Sequence, residues 1–254
     1  MSATKTLAFV LKTQDYRDTS LLGSFYTKDH GKIRGIVKGI RGAARFGSTL
    51  EPFSLNEILF YRRRRGGDLH QVTQIDLVQL FPELREDLER LAYASYFAEL
   101  LNELVEVEDA NPGIFELMTD SLRFLATGAS CKRSARIFEV KLLDLLGFMP
   151  EIRACVKCQA KDPQPAYFSV SLGGIQCKKC RDLRGENDGA GILVSKGALN
   201  FLEHVRRSGV QELYNVKVSQ EVGGELGRIL RRFVDFHLSN KLKTVTFLEK
   251  MGMN

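Results

Sequence analysis

The stretch CVKCQAKDPQPAYFSVSLGGIQCKKC holds four of the chain's five cysteines: Cys155, Cys158, Cys177 and Cys180. They form two Cys-x2-Cys pairs separated by eighteen residues. If the four sulfurs share one ion, two tight turns must meet at a point, and no other feature restricts the fold as much. Four thiolates complete the tetrahedron that Zn²⁺ accepts, and such a site has no open position for a catalytic water, so its role is structural. Two disulfides are the competing reading. A redox Cys-x2-Cys fits poorly, because that chemistry uses one pair. Between the pairs, YFSVSLGGIQ reads as two short strands turning at Gly173-Gly174, which gives the layout of a zinc ribbon. Lys157, Lys178, Lys179 and Arg181 crowd the pairs; they either balance the net −2 of Zn²⁺ with four thiolates or touch nucleic acid. Cys131 stands alone at a helix start and reads as structural.

The compartment favours the metal. No run approaches the ~18 to 20 apolar residues of a membrane-spanning helix. The opening MSATKTLAFVLKTQDY has only a short apolar stretch and no small-residue cleavage site, so it reads as neither a signal nor a transit peptide. The expected location is the cytoplasm, where paired cysteines stay reduced and more often hold metal than form disulfides.

Net charge is +6, unevenly distributed. Residues 1–80 carry +6, residues 81–120 carry −9 and residues 121–254 carry +9. Two basic regions flanking an acidic one suggest modular organisation and a polyanionic partner, although solubilising surface charge produces the same excess.

The first eighty residues read as strands: LAFVLKT, SLLGSFYT, KIRGIVKG, FSLNEILFY and LHQVTQIDLVQ, separated by KDHG, GIRGAARFG and RRRRGGD. Five short strands in that length predict a closed five-stranded oligonucleotide-binding barrel (OB-fold), with an SH3-like barrel as the alternative. At Phe81-Pro82 the apolar period changes to three and four. Helices are expected after Pro82, after Asn111-Pro112, over 134–146, over 195–207 and over 219–238. The fold class is therefore α+β and multi-domain: a barrel over 1–80, then a helical domain over 81–254 with a zinc-binding insertion at 150–185.

In the strand KIRGIVKG alternate residues share a face, so Lys32, Arg34 and Lys38 fall together. Arg41 and Arg45 follow on a glycine-rich loop, and Arg62, Arg63, Arg64 and Arg65 make a four-arginine turn. Tyr16, Phe25, Tyr26, Phe46, Phe53, Phe60 and Tyr61 are interleaved. Cations for phosphates with rings for bases are what single-strand binding needs; the duller reading puts Phe25, Phe53 and Phe60 in the core. Arg228, Arg231 and Arg232 beside Leu230, Phe233 and Phe236 read as the solvated edge of a helix. Catalytic signatures are largely absent. Gly31-Lys32 lacks the upstream glycine of a phosphate loop, GAGILV at 189–194 is half a dinucleotide fingerprint, and the four histidines are scattered.

Five stretches in this order carry a further likeness: DYRDTSLLGSFYTKDHGKIRGIVKGIRG, LEPFSLNEILFY, RIFEVKLLDLLGFMP running into CVKC, GGIQCKKC, and HLSNKLKTVTFLEKM. Together they resemble the RecO family of bacterial recombination mediators over essentially the whole chain. The resemblance implies an N-terminal OB-fold, a helical domain and a zinc-binding insertion, without enzymatic activity. It implies binding of single- and double-stranded DNA, annealing of complementary strands, and action with RecR (and RecF in one pathway) to load RecA onto DNA coated by single-stranded-DNA-binding protein. That coat protein's acidic, aromatic-ended tail docks on the helical domain of some members. Carried onto this sequence, the basic barrel surface falls on Lys32, Arg34, Lys38, Arg41 and Arg45, with Arg62 to Arg65 beside it. The metal ligands fall on Cys155, Cys158, Cys177 and Cys180. The tail-docking pocket is placed at Lys132, Arg133 and Arg136. The implied location is the cytoplasm, with the nucleoid. The rival from another class is an RNA-binding or translation-associated zinc-ribbon protein; a Mg²⁺-dependent nuclease is third.

Overall fold

A computed structural model describes residues 3–39, 50–62, 69–183 and 191–253. By packing the chain divides into two compact units, Met1–Gly128 with Leu242–Met251, and Ala129–Lys241 with Gly252–Asn254.

The first unit opens with five strands: β1 (Ala3–Tyr16), β2 (Ser20–Thr27), β3 (Gly31–Val37), β4 (Leu55–Tyr61) and β5 (Leu69–Gln79). They close into a barrel in the order β1-β2-β3-β5-β4. β1 is long enough to pair with β2 along one part and β4 along another, bending at an irregularity between Val10 and Lys12. Closure runs through a parallel β3–β5 pair, Arg34 opposite Leu69 to Val37 opposite Val72. That order and that parallel closure give the OB-like barrel. Ala8, Val10, Phe25, Ile33, Val37, Ile58, Phe60, Val72 and Ile75 make its core; alternation brings Ala8 with Val10, Ile33 with Val37 and Ile58 with Phe60 to one face, and the register shift opposite Leu59 and Phe60 lets Val72 and Ile75 join them.

Two helices pack with the barrel. α1 (Leu88–Leu104) starts where the Asp87 carboxylate accepts from the Arg90 N–H, and α2 (Pro112–Ala126) starts where Asn111 accepts from the N–H groups of Gly113 and Ile114. These are the short polar caps that satisfy orphan amides of a first turn. α1 buries Tyr93, Ala94, Tyr96, Phe97, Leu100 and Leu101 around most of its circumference, as a helix enclosed by other elements does. The Tyr26 hydroxyl donates to the Asn111 carbonyl at 3.0 Å, and the rings of Phe9 and Phe115 lie 5.1 Å apart. The β2–β3 turn approaches the following segment so closely that a Cβ on Gly31 would stand 2.0 Å from the Asp109 carbonyl oxygen. The barrel's last strand ends at Gln79, and α1 and α2 fall in the same compact unit as the barrel.

The second unit contains α3 (Cys131–Leu145), a small sheet of β6 (Ala166–Ser169), β7 (Gly174–Cys177) and β8 (Ile192–Val194), the short α4 (Lys178–Asp182), α5 (Lys196–Arg207) and α6 (Gln220–His237). The sheet order is β7-β6-β8, so ILV of the half-fingerprint GAGILV is a sheet strand. α3 starts at its Ser130 cap, three residues earlier than the apolar pattern suggests. α6 stays helical through Gly223, Gly224 and Gly227. A last helix, α7 (Lys243–Lys250), returns to the first unit and packs on α1. Among the described residues no helix is long and apolar enough to cross a membrane.

Candidate metal centre and nucleic-acid surface

Both cysteine turns are built by backbone hydrogen bonds. In the first, the Cys155 N–H donates to Ala160 O and the Gln159 N–H to Cys155 O, each at 2.9 Å. Gln159 closes the turn in the left-handed region at φ 61°. The Glu151 carboxylate accepts from the N–H of Arg153 (2.7 Å) and Ala154 (3.2 Å), and the Val156 N–H donates to Ile175 O, tying the turn to β7. A side chain at Gly174 would meet Glu151 O and Val156 Cγ1, both at 2.6 Å, so only glycine allows this approach. The second turn follows β7 directly: Cys177 Sγ caps α4 by accepting from the Cys180 N–H at 3.4 Å. The β6–β7 hairpin sets Ala166 opposite Cys177 and reverses at Gly173, φ +64°.

The four sulfurs lie within 4.8 Å of one another, and all four cysteines are free thiols. Cys158 and Cys177 are 3.8 Å apart at sulfur. A tetrahedral ion bound at about 2.3 Å by sulfur has sulfur–sulfur edges of about 3.8 Å, whereas a disulfide needs about 2.05 Å. The quartet could therefore hold a metal ion; disulfide pairing does not fit. Burial pushes the Cys155 thiol up, but amide N–H groups of Cys158, Cys177 and Lys157 turned toward it outweigh burial and bring it down to about 6. Cys180, hydrogen-bonded to Cys158 and Cys177, is pushed up to about 12. Lys157, Lys178 and Lys179 are exposed around the site, whereas Arg181 lies 3.8 Å over the Tyr167 ring and pairs with Asp182.

On the barrel, Arg34 and Lys38 are exposed. Arg62 is exposed and stands 3.0 Å from His30 Nδ1. Burial, then the Arg62 charge, lowers the His30 pKa, so the imidazole is neutral and accepts this contact. Sequence patterning missed His30 as the partner of Arg62, since they are 32 residues apart. Lys32 departs from the expected exposed face. It points outward like Arg34, but the chain at the end of α1 covers it: its Nζ donates to Asn102 O at 2.6 Å, Glu108 N–H donates to Lys32 O, and only 9% of the residue is exposed. Arg41, Arg45, Arg63, Arg64 and Arg65, and the ring of Phe46, lie outside the described residues. Of the interleaved aromatics, Phe25, Tyr26, Phe53 and Phe60 are buried, while Tyr16 and Tyr61 are half-buried.

At the head of α3, Lys132 is exposed, but its two neighbours in the expected docking set have interior partners. Arg133 donates to Val216 O and Arg136 to Gly227 O, both at 3.2 Å, and Arg136 also pairs with the buried Glu139 at 3.0 Å. These two arginines tie α3 to the chain around α6. A charge pattern on one helix does not disclose partners that come from another.

Two family models cover nearly the whole chain: recombination protein O N terminal over residues 1–81, and recombination protein O C terminal over residues 85–245. The chain belongs to the RecO family. Proteins named DNA repair protein RecO are similar along their whole lengths. The one from Pelotomaculum thermopropionicum is 33% identical, covering 99% of this chain and 96% of its own. That from Syntrophus aciditrophicus is 31% identical over 97% and 95%, and that from Desulforudis audaxviator 32% over 100% and 99%. The two RecO matches meet between residues 81 and 85, where strands give way to helices.

Proposed function

We propose that this chain is a recombination mediator that binds single- and double-stranded DNA, anneals complementary strands and, with RecR (and RecF in one pathway), helps load RecA onto DNA coated by single-stranded-DNA-binding protein. The observation that carries this reading is the full-length match to proteins named for DNA repair. The barrel supports it: Arg34, Lys38 and Arg62 are exposed cations on an OB-like scaffold, and Arg41, Arg45 and Arg63 to Arg65 belong to the same proposed surface. Lys32, whose ammonium is held by Asn102, acts on this surface through the fold. Cationic surfaces hold two strands and screen their repulsion, raising local strand concentration without covalent chemistry, so no catalytic residue is assigned. The chain works in the cytoplasm, with the nucleoid. Lys132 remains a candidate contact for the coat protein's acidic tail.

Zinc is the ion proposed for Cys155, Cys158, Cys177 and Cys180, since four thiolates at tetrahedral spacing suit it and leave no open position. When bound, zinc supplies four bonds that fix the ribbon; the chain's own part is to hold the sulfurs together and to balance the site's charge with Lys157, Lys178 and Lys179.

Charge reversal at Arg34, Lys38 and Arg62 tests the reading. DNA affinity should fall, and the log-log dependence of affinity on salt should flatten by roughly 0.7 for each single-strand phosphate that is no longer neutralised. An unchanged salt slope would remove these residues from the DNA surface.

A further inference from the structure

The outer face of α6 carries a pattern that the barrel surface does not use. Gly224, Arg228, Arg232 and Phe236 recur every four residues and are all exposed or half-exposed, while Leu226, Ile229, Leu230, Phe233 and Val234 face the interior. Each step along that line is about 6 Å. Arg231 is held by Asp235 one turn away, and the Glu225 carboxylate accepts from the Ser195 N–H. Arg228 and Arg232 make no ion pair among the described residues.

The line ends on aromatic rings. Phe236 is 57% exposed and Phe148, just beyond α3, is 40% exposed. Both contact His237, Phe148 stacked at 4.5 Å with planes 14° apart and Phe236 edge-on at 5.5 Å. Behind His237 stands the buried Phe233 at 4.8 Å, which meets Phe168 at 5.5 Å. The exposed rings are thus the outer members of an aromatic cluster rooted in the core, held in place before anything binds. Burial lowers the pKa of His237 and keeps its ring neutral.

Guanidinium groups in a repeating line, without an ion pair among the described residues, beside exposed rings match a chain with repeating negative charge and open π faces. Single-stranded nucleic acid has both, whereas a duplex hides its base faces. The described barrel aromatics are buried or half-buried, whereas Phe236 and Phe148 present exposed rings. We propose that α6 and Phe148 form a second contact surface for single-stranded nucleic acid, with bases stacked on Phe236 and Phe148 and phosphates held by Arg228 and Arg232. The proposal rests on the DNA-binding reading above and adds a site to it.

The chain has no tryptophan, so Phe236→Trp places a lone reporter at the site. In the full-length protein its emission should be quenched by oligo(dT) and left unchanged by a duplex of equal length. Phe236→Ala should weaken oligo(dT) binding by about five- to tenfold or more, with duplex affinity and salt slope kept and an unaltered thermal melt. Arg228→Ala with Arg232→Ala should flatten the single-strand salt slope. Full oligo(dT) affinity in Phe236→Ala, or equal loss on both DNA forms, would overturn the stacking role. Quenching by an acidic, aromatic-ended peptide that oligo(dT) does not displace would make the surface a peptide site instead. If the unmodified chain binds neither DNA form, the DNA-binding reading falls and this site with it; if it binds through the barrel cations while Phe236→Ala is silent, only this site falls.

Discussion

Lys32 and Arg34 share a strand and a face, yet their surroundings give them different work. Lys32 is covered by the end of α1, and burial lowers its pKa. Lys32→Met keeps the aliphatic packing and removes the donor to Asn102 O, which should cost about 1–2 kcal/mol of stability. It should also leave the DNA salt slope nearly unchanged, whereas Arg34→Ala should do the reverse. Urea titration and salt-dependent anisotropy separate the two. Histidine provides a pH test. His30 and His237 both have pKa values lowered by burial from 6.5, so the unfolded chain takes up protons more readily than the folded one. Stability therefore declines as pH falls from about 6.5 toward the lower folded values, and is unaffected by these groups above that window. Thermal melts at stepped pH should show His237→Phe declining less than the unmodified chain over that range; parallel curves would remove His237 from the account.

Elements were legible where their signals are local. Asn111, Ser195 and Ser219 each sit immediately before the helix they cap, and the five strands are bounded by glycine-rich or charged turns; the helix expected from Pro82 instead makes only a 3-10 turn over Pro82–Leu84, and α1 begins at Leu88 behind its Asp87 cap. α7 has no such signal, because Leu242 provides no side-chain cap. Its first amides are satisfied from 144 and 145 residues away: Glu99 accepts from the N–H groups of Lys243 and Thr244, both at 2.9 Å, and from the Thr244 hydroxyl. Glu99→Ala should destabilise the first unit by about 1 kcal/mol, with faster amide exchange confined to the start of α7; unchanged exchange there would deny the cap. The same limit hid the cover over Lys32 and the partners of Arg133 and Arg136, Val216 O before α6 and Gly227 O within it, since strand and helix periodicity give the direction of a side chain and not what another element places over it. The cysteine quartet was legible because sulfur spacing states its own geometry. Chelation, or Cys155→Ser, should open 150–183 to protease while leaving the barrel resistant, since a structural metal contributes directly to local folding. Equal protection with and without chelator would contradict the structural role.

Across the molecule, charge is unevenly distributed. The acidic stretch 81–120, net −9, lies largely in α1, α2 and their connection, while cations concentrate on β3, the β4–β5 connection, the ribbon and α6. This distribution suits a protein that meets polyanions through separate basic surfaces. The family, the OB-like barrel and the metal-competent quartet were all readable from sequence; the burial of Lys32 was not, because it depends on what another element of the same unit places over it. The central claim, strand capture leading to annealing, is tested most directly by mixing complementary strands coated with single-stranded-DNA-binding protein, without nucleotide, with and without this chain. The account predicts faster annealing with the chain, abolished when Arg34, Lys38 and Arg62 are neutralised together. Annealing at the uncatalysed rate while DNA binding is intact would contradict it.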